Sequence, residues 1–139
     1  MINWLLDALK GTPLVHLCFG NSGGQRIQSG GWDGLMNYPN SLHVAHIVIE
    51  CRNWPGDGLA VFRDLWLEIG IGLGVVDVKV TEVESAEQIA QDLEWAATML
   101  GDGRVTHIYP DFGFWMPKRL IADANIRALA AGCDFFEGR

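Results

Sequence analysis

In Leu14-Val-His-Leu-Cys-Phe-Gly-Asn21 an imidazole and a thiol stand two residues apart at the end of a short apolar run. Side chains alternate faces along a strand, so on one His16 and Cys18 point the same way. Such a pair can grip a soft or borderline metal ion. Other polar groups also end apolar runs. Glu50 closes His46-Ile-Val-Ile-Glu, Asp77 lies near the end of the run that begins at Ile71, and Asp111 follows Val105-Thr-His-Ile-Tyr. Glu50 then shares a face with His46 and Val48, while Cys51 faces the other way with Ile49, so either Glu50 or Cys51 can join the first pair. Nitrogen, sulfur and oxygen donors together suit zinc, which would hold Cys18 as thiolate and could do the same for a substrate thiol.

Each of these residues also has a plainer reading. His16 and Cys18 can be a core thiol beside a hydrogen-bonded histidine. Glu50 can pair with Arg52 or Lys79, and Asp77 and Asp111 can cap the loops that follow them. His43, His46 and His107 show no partner pattern and read as structural, and Cys51 and Cys133 as small buried apolar groups. The loop holding Gly20 and Asn21 reads as a flexible active-face loop whose backbone N–H groups could also meet an anion. Trp54, Trp66 and Trp95 read as core or lid residues. Trp115, with Phe112 and Phe114, could wall an apolar pocket. Gly70-Ile-Gly-Leu-Gly74 lacks the spacing of a dinucleotide fingerprint and enters a strand instead of leaving one.

The elements that must position these groups alternate. A helix over 2–10 is stopped by Gly11 and Pro13. Strands are expected over 14–18, 46–51, 71–78 and 105–109, with a weaker helical segment over 32–42 and a helix over 59–68. Ser85-Ala-Glu-Gln88 is a capping box that opens a helix to Leu100, with Ile89, Leu93, Ala96, Ala97 and Leu100 inward. A last helix begins at Pro117 and ends at Gly132. Strands apolar on both faces, alternating with helices, mark an α/β parallel sheet. Ligands bind such sheets outside the carboxyl ends of the strands, where His16, Cys18, Glu50, Asp77 and Asp111 fall.

The bulk numbers narrow the classes. The chain has 139 residues, 49% hydrophobic and 19% charged, enough for one domain with a real core. A net charge of −7 argues against nucleic acid or an anionic membrane as main partner. No run is long and apolar enough to span a bilayer, and the start lacks a signal-peptide build. Three cysteines without framework spacing suit a reducing interior, so a cytoplasmic location is expected.

In order along the chain come His-Leu-Cys-Phe-Gly-Asn (16–21), Ile-Val-Ile-Glu (47–50), Ile-Gly-Leu-Gly-Val-Val-Asp-Val-Lys (71–79), Glu-Val-Glu-Ser (82–85) and Pro-Asp-Phe-Gly-Phe (110–114). Together they resemble the C-terminal catalytic domain of cobalamin-independent methionine synthase and its relatives, among them the epoxyalkane:coenzyme M transferase type. The resemblance covers nearly the whole chain. It implies zinc-dependent transfer of a methyl or alkyl group to a small thiol on a (β/α)8 barrel. The family's histidine, cysteine and glutamate zinc ligands fall on His16, Cys18 and Glu50, and Asp77 falls on an acidic position near the substrate. Asn21, Asp77, Asp111 and Trp115 are the candidate substrate-binding residues.

Two departures stand out. The family's Pro-Asp-Cys-Gly motif supplies a last zinc-ligand cysteine, and that position is Phe112 here. Such a barrel also takes about 250 residues, and this chain carries four βα units of the eight. A homo-oligomer or a partner chain completing the barrel is therefore expected, with much of the donor site in the missing half. The opposing expectation is a non-catalytic dimerisation module that has lost the zinc site.

Overall fold

The computed structural model describes residues 1–20, 22, 25, 27, 31, 32, 34–52 and 56–139, with backbone only at 56 and 57. Four strands, β1 (Leu14–Leu17), β2 (His46–Glu50), β3 (Gly70–Val76) and β4 (Val105–Pro110), form one parallel sheet in the order β1-β2-β3-β4. The helices are α1 (Ile2–Ala8), α2 (Asn37–Asn40), α3 (Ala86–Leu100) and α4 (Arg119–Phe136), with a 3-10 segment over Gly56–Asp64. The strand order decides the architecture. A doubly wound sheet reverses its order and receives helices on both faces, whereas strictly sequential right-handed crossovers put every helix on one face, as in a barrel.

One face of the sheet is closed. Ile47, Ile49, Ile71, Leu73 and Val75 are at most 1% exposed and share a core with Leu59, Phe62, Ile89, Leu93 and Ala96. The other face carries the alternate residues: Leu14 and His16 of β1, His46, Val48 and Glu50 of β2, and Gly70, Gly72 and Gly74 of β3. His107 and Tyr109 of β4 stand in register with Gly72 and Gly74. The glycines make room for β4. A Cβ on Gly72 would stand 2.6 Å from Tyr109 Cε2, one on Gly74 2.6 Å from Asp111 Oδ1, and one on Gly70 2.5 Å from Thr106 Oγ1.

Several expectations are corrected. The 59–68 helix is the 3-10 segment instead, where residues three apart eclipse, so Leu59, Phe62 and nearby Leu65 share the buried side. Among the described residues of 32–42, only Asn37–Asn40 are helical. Ser85 caps α3 as expected, its hydroxyl accepting the Gln88 N–H at 3.2 Å. Gly132 does not stop α4, which starts at Arg119 and runs on to Phe136. Gly132 instead marks the point where α4 comes closest to α3: a Cβ there would meet Ile89 Cγ2 at 2.5 Å and the Ala86 carbonyl at 3.1 Å.

Candidate active site at the strand ends

The carboxyl ends of β2, β3 and β4 converge on one ammonium group. Lys79 Nζ lies 3.6 Å from Glu50 Oε2, 3.9 Å from Asp77 Oδ1 and 3.8 Å from Asp111 Oδ2. The Lys79, Glu50 and Asp77 side chains are each only 10–12% exposed. The turn after β3 makes this possible: the Lys79 N–H donates to Asp77 Oδ1 at 2.8 Å, folding the lysine back over the mouth. Glu50 is held from its other oxygen, with Oε1 accepting the Phe19 N–H at 2.9 Å. That bond ties the end of β2 to the chain leaving β1.

Asp111 fastens a second pair of strand ends. Its Oδ1 accepts the N–H groups of Cys51 and Arg52 at 3.1 and 3.3 Å, across the space that Gly74 leaves open. Burial raises the Asp111 pKa to about 7, against the lowering pull of Lys79 and the two backbone donors. Arg52 continues the network to Asp92 at 2.7 Å and Glu84 at 3.4 Å, and Glu84 accepts the Asp77 N–H at 2.9 Å. Of the two partners open to Glu50 from the sequence, Lys79 is the one beside it. Asp77 caps the turn that follows it, whereas Asp111 does not cap the loop after β4 as expected but reaches back to the N–H groups that follow β2.

His16 is exposed on the open face of β1, its ring 5.5 Å from that of Phe112. Partial burial of the ring lowers its pKa, offset in part by the charge of Glu50. Cys18 follows β1 and is half-buried. Cys51 faces away, lining a cavity of about 190 Å³ with Arg52, Val75, Asp92 and Trp95, and burial pushes its thiol up to about 12. A thiol so hard to ionise is a poor substitute ligand. Phe112 also receives Lys79, whose Nζ lies 4.7 Å from the ring centroid. Among the described residues, no three His, Cys, Asp or Glu side chains are gathered so that they could hold one metal ion.

Leu14, His16, Val48, Tyr109, Pro110, Phe112 and Gly113 line an open apolar groove of about 280 Å³ beside this cluster. Trp115 is not among its walls and is 72% exposed. Trp66, at 61%, is likewise outside the core, and Trp95 is partly exposed. Asn21 and Trp54 lie outside the described residues.

Sequence reasoning missed a second group on the open face. His46 Nε2 lies 2.9 Å from the Tyr109 hydroxyl, and the His46 and His107 rings stack with centroids 4.2 Å apart. Burial lowers the His46 pKa, and His107 lowers it further. The signal was the glycine at every second position of β3, which empties that face for side chains from its neighbours.

The comparisons with known proteins agree with the fold. The family described as the catalytic domain of cobalamin-independent synthase matches residues 32–131. The methionine synthase of Sulfurisphaera tokodaii is 24% identical over 94% of this chain and 37% of its own length. The structure of a B12-independent methionine synthase from a Shewanella species, in complex with selenomethionine, superimposes with a TM-score of 0.76. It is 20% identical, over 96% of this chain and 40% of that one. The four parallel βα units are thus part of a TIM-type barrel, and the chain spans well under half the length of these relatives. With 100 of its 139 residues inside the match, the chain belongs to the family of cobalamin-independent synthase catalytic domains.

Proposed function

We propose that this chain is one half of a barrel enzyme that transfers a methyl or alkyl group to a small thiol. The observation that carries the reading is the family match over residues 32–131. In such a reaction a thiolate attacks the alkyl carbon in a single displacement, and the enzyme must hold the sulfur deprotonated next to the donor. The apolar groove beside the strand-end carboxylates suits the carbon chain of a small thiol such as homocysteine. That the Shewanella relative holds selenomethionine supports a methylated, methionine-like product. Asp77 is the proposed substrate-orienting group, with Asp111, Asn21 and Trp115 as further candidates for contact.

By motif His16, Cys18 and Glu50 are the proposed zinc ligands. As their side chains stand they do not fit the ion: Glu50 is held by the Phe19 N–H and Lys79, and a phenyl ring rather than a thiolate stands beside His16. The test is to measure zinc content, and thioether formation from a small thiol and a methyl donor, for the wild type and Cys18→Ser. The expected result is less zinc and a rate at least about tenfold lower in the variant. An unchanged zinc content together with an unchanged rate would sink the reading.

A second reading is a non-catalytic dimerisation module. Phe112, packed against both His16 and Lys79 where the family has cysteine, favours it. Its signature is a stable dimer that binds no zinc and alkylates no thiol.

A further inference from the structure

We infer that Lys79 is the built-in cation of the strand-end carboxylates, a positioning residue that competes with any metal ion for Glu50. Three acidic side chains from three different strand ends surround one ammonium at 3.6–3.9 Å, in a site where each is 12% exposed or less. Carboxylates so placed need a counter-charge inside the protein, because burial removes most of the water that would otherwise screen them. Lys79 is the cation that meets all three.

Its position is set from two sides. The turn closed by Asp77 fixes its backbone, and the face of the Phe112 ring receives its ammonium. The same ring touches His16. Phe112 therefore does two things that a cysteine at this position would not. It braces the competing cation, and it puts hydrocarbon against the His16 imidazole. A divalent ion drawn to Glu50 would have to displace the ammonium or bear its repulsion. The inference depends on the thiol-alkylation reading only for zinc as the competing ion.

The experiment is a calorimetric zinc titration of the wild type, Lys79→Met and Lys79→Arg at one pH, with urea unfolding of the same proteins in metal-free buffer. Lys79→Met is expected to bind zinc at least about tenfold tighter than wild type and to unfold at lower urea, while Lys79→Arg stays near wild type in both. Equal or weaker zinc binding by Lys79→Met would overturn the inference, as would an unchanged urea midpoint. If no form binds zinc measurably, the competition with a metal ion is overturned and the urea comparison decides only the counter-charge role. If Lys79→Met does not fold, Glu50→Gln/Lys79→Met is expected to recover structure, because one fewer carboxylate needs neutralising; no recovery counts against the role. Zinc bound by Lys79→Met that survives Cys18→Ser would remove Cys18 from the ligand set and leave the role of Lys79 standing.

Discussion

At the scale of single residues, Asp111 ties stability to pH. Its folded pKa of about 7 lies above its unfolded value of 3.8, so the folded chain binds more protons between the two. Stability from this group is full below the unfolded value, declines as pH rises, and is lost above about 7. His46 acts in the opposite sense: with its pKa lowered below 6.5, stability is lost as pH falls past that value. Asp111→Asn keeps an acceptor for Cys51 and Arg52 without the buried charge. Urea unfolding at pH 5 and pH 8 should therefore show a smaller loss between the two for Asp111→Asn than for wild type. Asp111→Ala leaves two buried N–H groups without an acceptor and should cost about 2 kcal/mol at both. A wild-type slope retained by Asp111→Asn would refute the assignment. Alternation along β2 was enough to place Glu50 with His46 and Val48 and to turn Cys51 away. The reach of Asp111 to Cys51 was not legible, because it depends on three strands curving together over Gly74.

At the scale of elements, the contact between α3 and α4 sets a clear contest of magnitudes. Gly132→Ala would gain about 1 kcal/mol of helix propensity. It would also drive a methyl to within 2.5 Å of Ile89 Cγ2 and 3.1 Å of a backbone carbonyl, where overpacking costs about 1–3 kcal/mol. The backbone cannot yield as a side chain can, so a net loss of about 1 kcal/mol is expected in urea unfolding. Pairing it with Ile89→Ala should give less than the sum of the two losses; strict additivity would mean the helices are not in contact there. The capping box at Ser85 was readable because its signal is local. Gly132 was misread because a glycine before a chain end looks like a stop, and only the neighbouring helix shows that it is a point of contact.

At the scale of the whole molecule, the main core lies on one face of the sheet, and the second face is exposed at Leu14, His16 and His107, with β1 and β4 as the outer strands. Sequential parallel order was legible from the alternation of elements and from the family motifs. Closure was not, because it depends on residues this chain does not supply. The open face includes Leu14, 41% exposed, and the apolar groove. Light scattering at micromolar concentration should give a mass of at least twice the 15.3 kDa chain. A clean monomer would count against both self-completion of the barrel and the dimerisation module. No helix among the described residues is long and apolar enough to cross a membrane.

The glycines of β3 also bear on how the chain can change over time. Two alternate positions of that strand face mainly one later side chain, Gly70 facing Thr106 and Gly72 facing Tyr109, while Gly74 faces Asp111 and also the Ile49 carbonyl at 2.9 Å, which no side-chain change removes. At 70 and 72 a larger residue needs a smaller one across from it, and a replacement at 111 would also release the loop after β2. The two strands are therefore bound to drift as a pair. In a library randomised at all six positions, survivors should carry linked substitutions, with 74 and 111 the last couple to move.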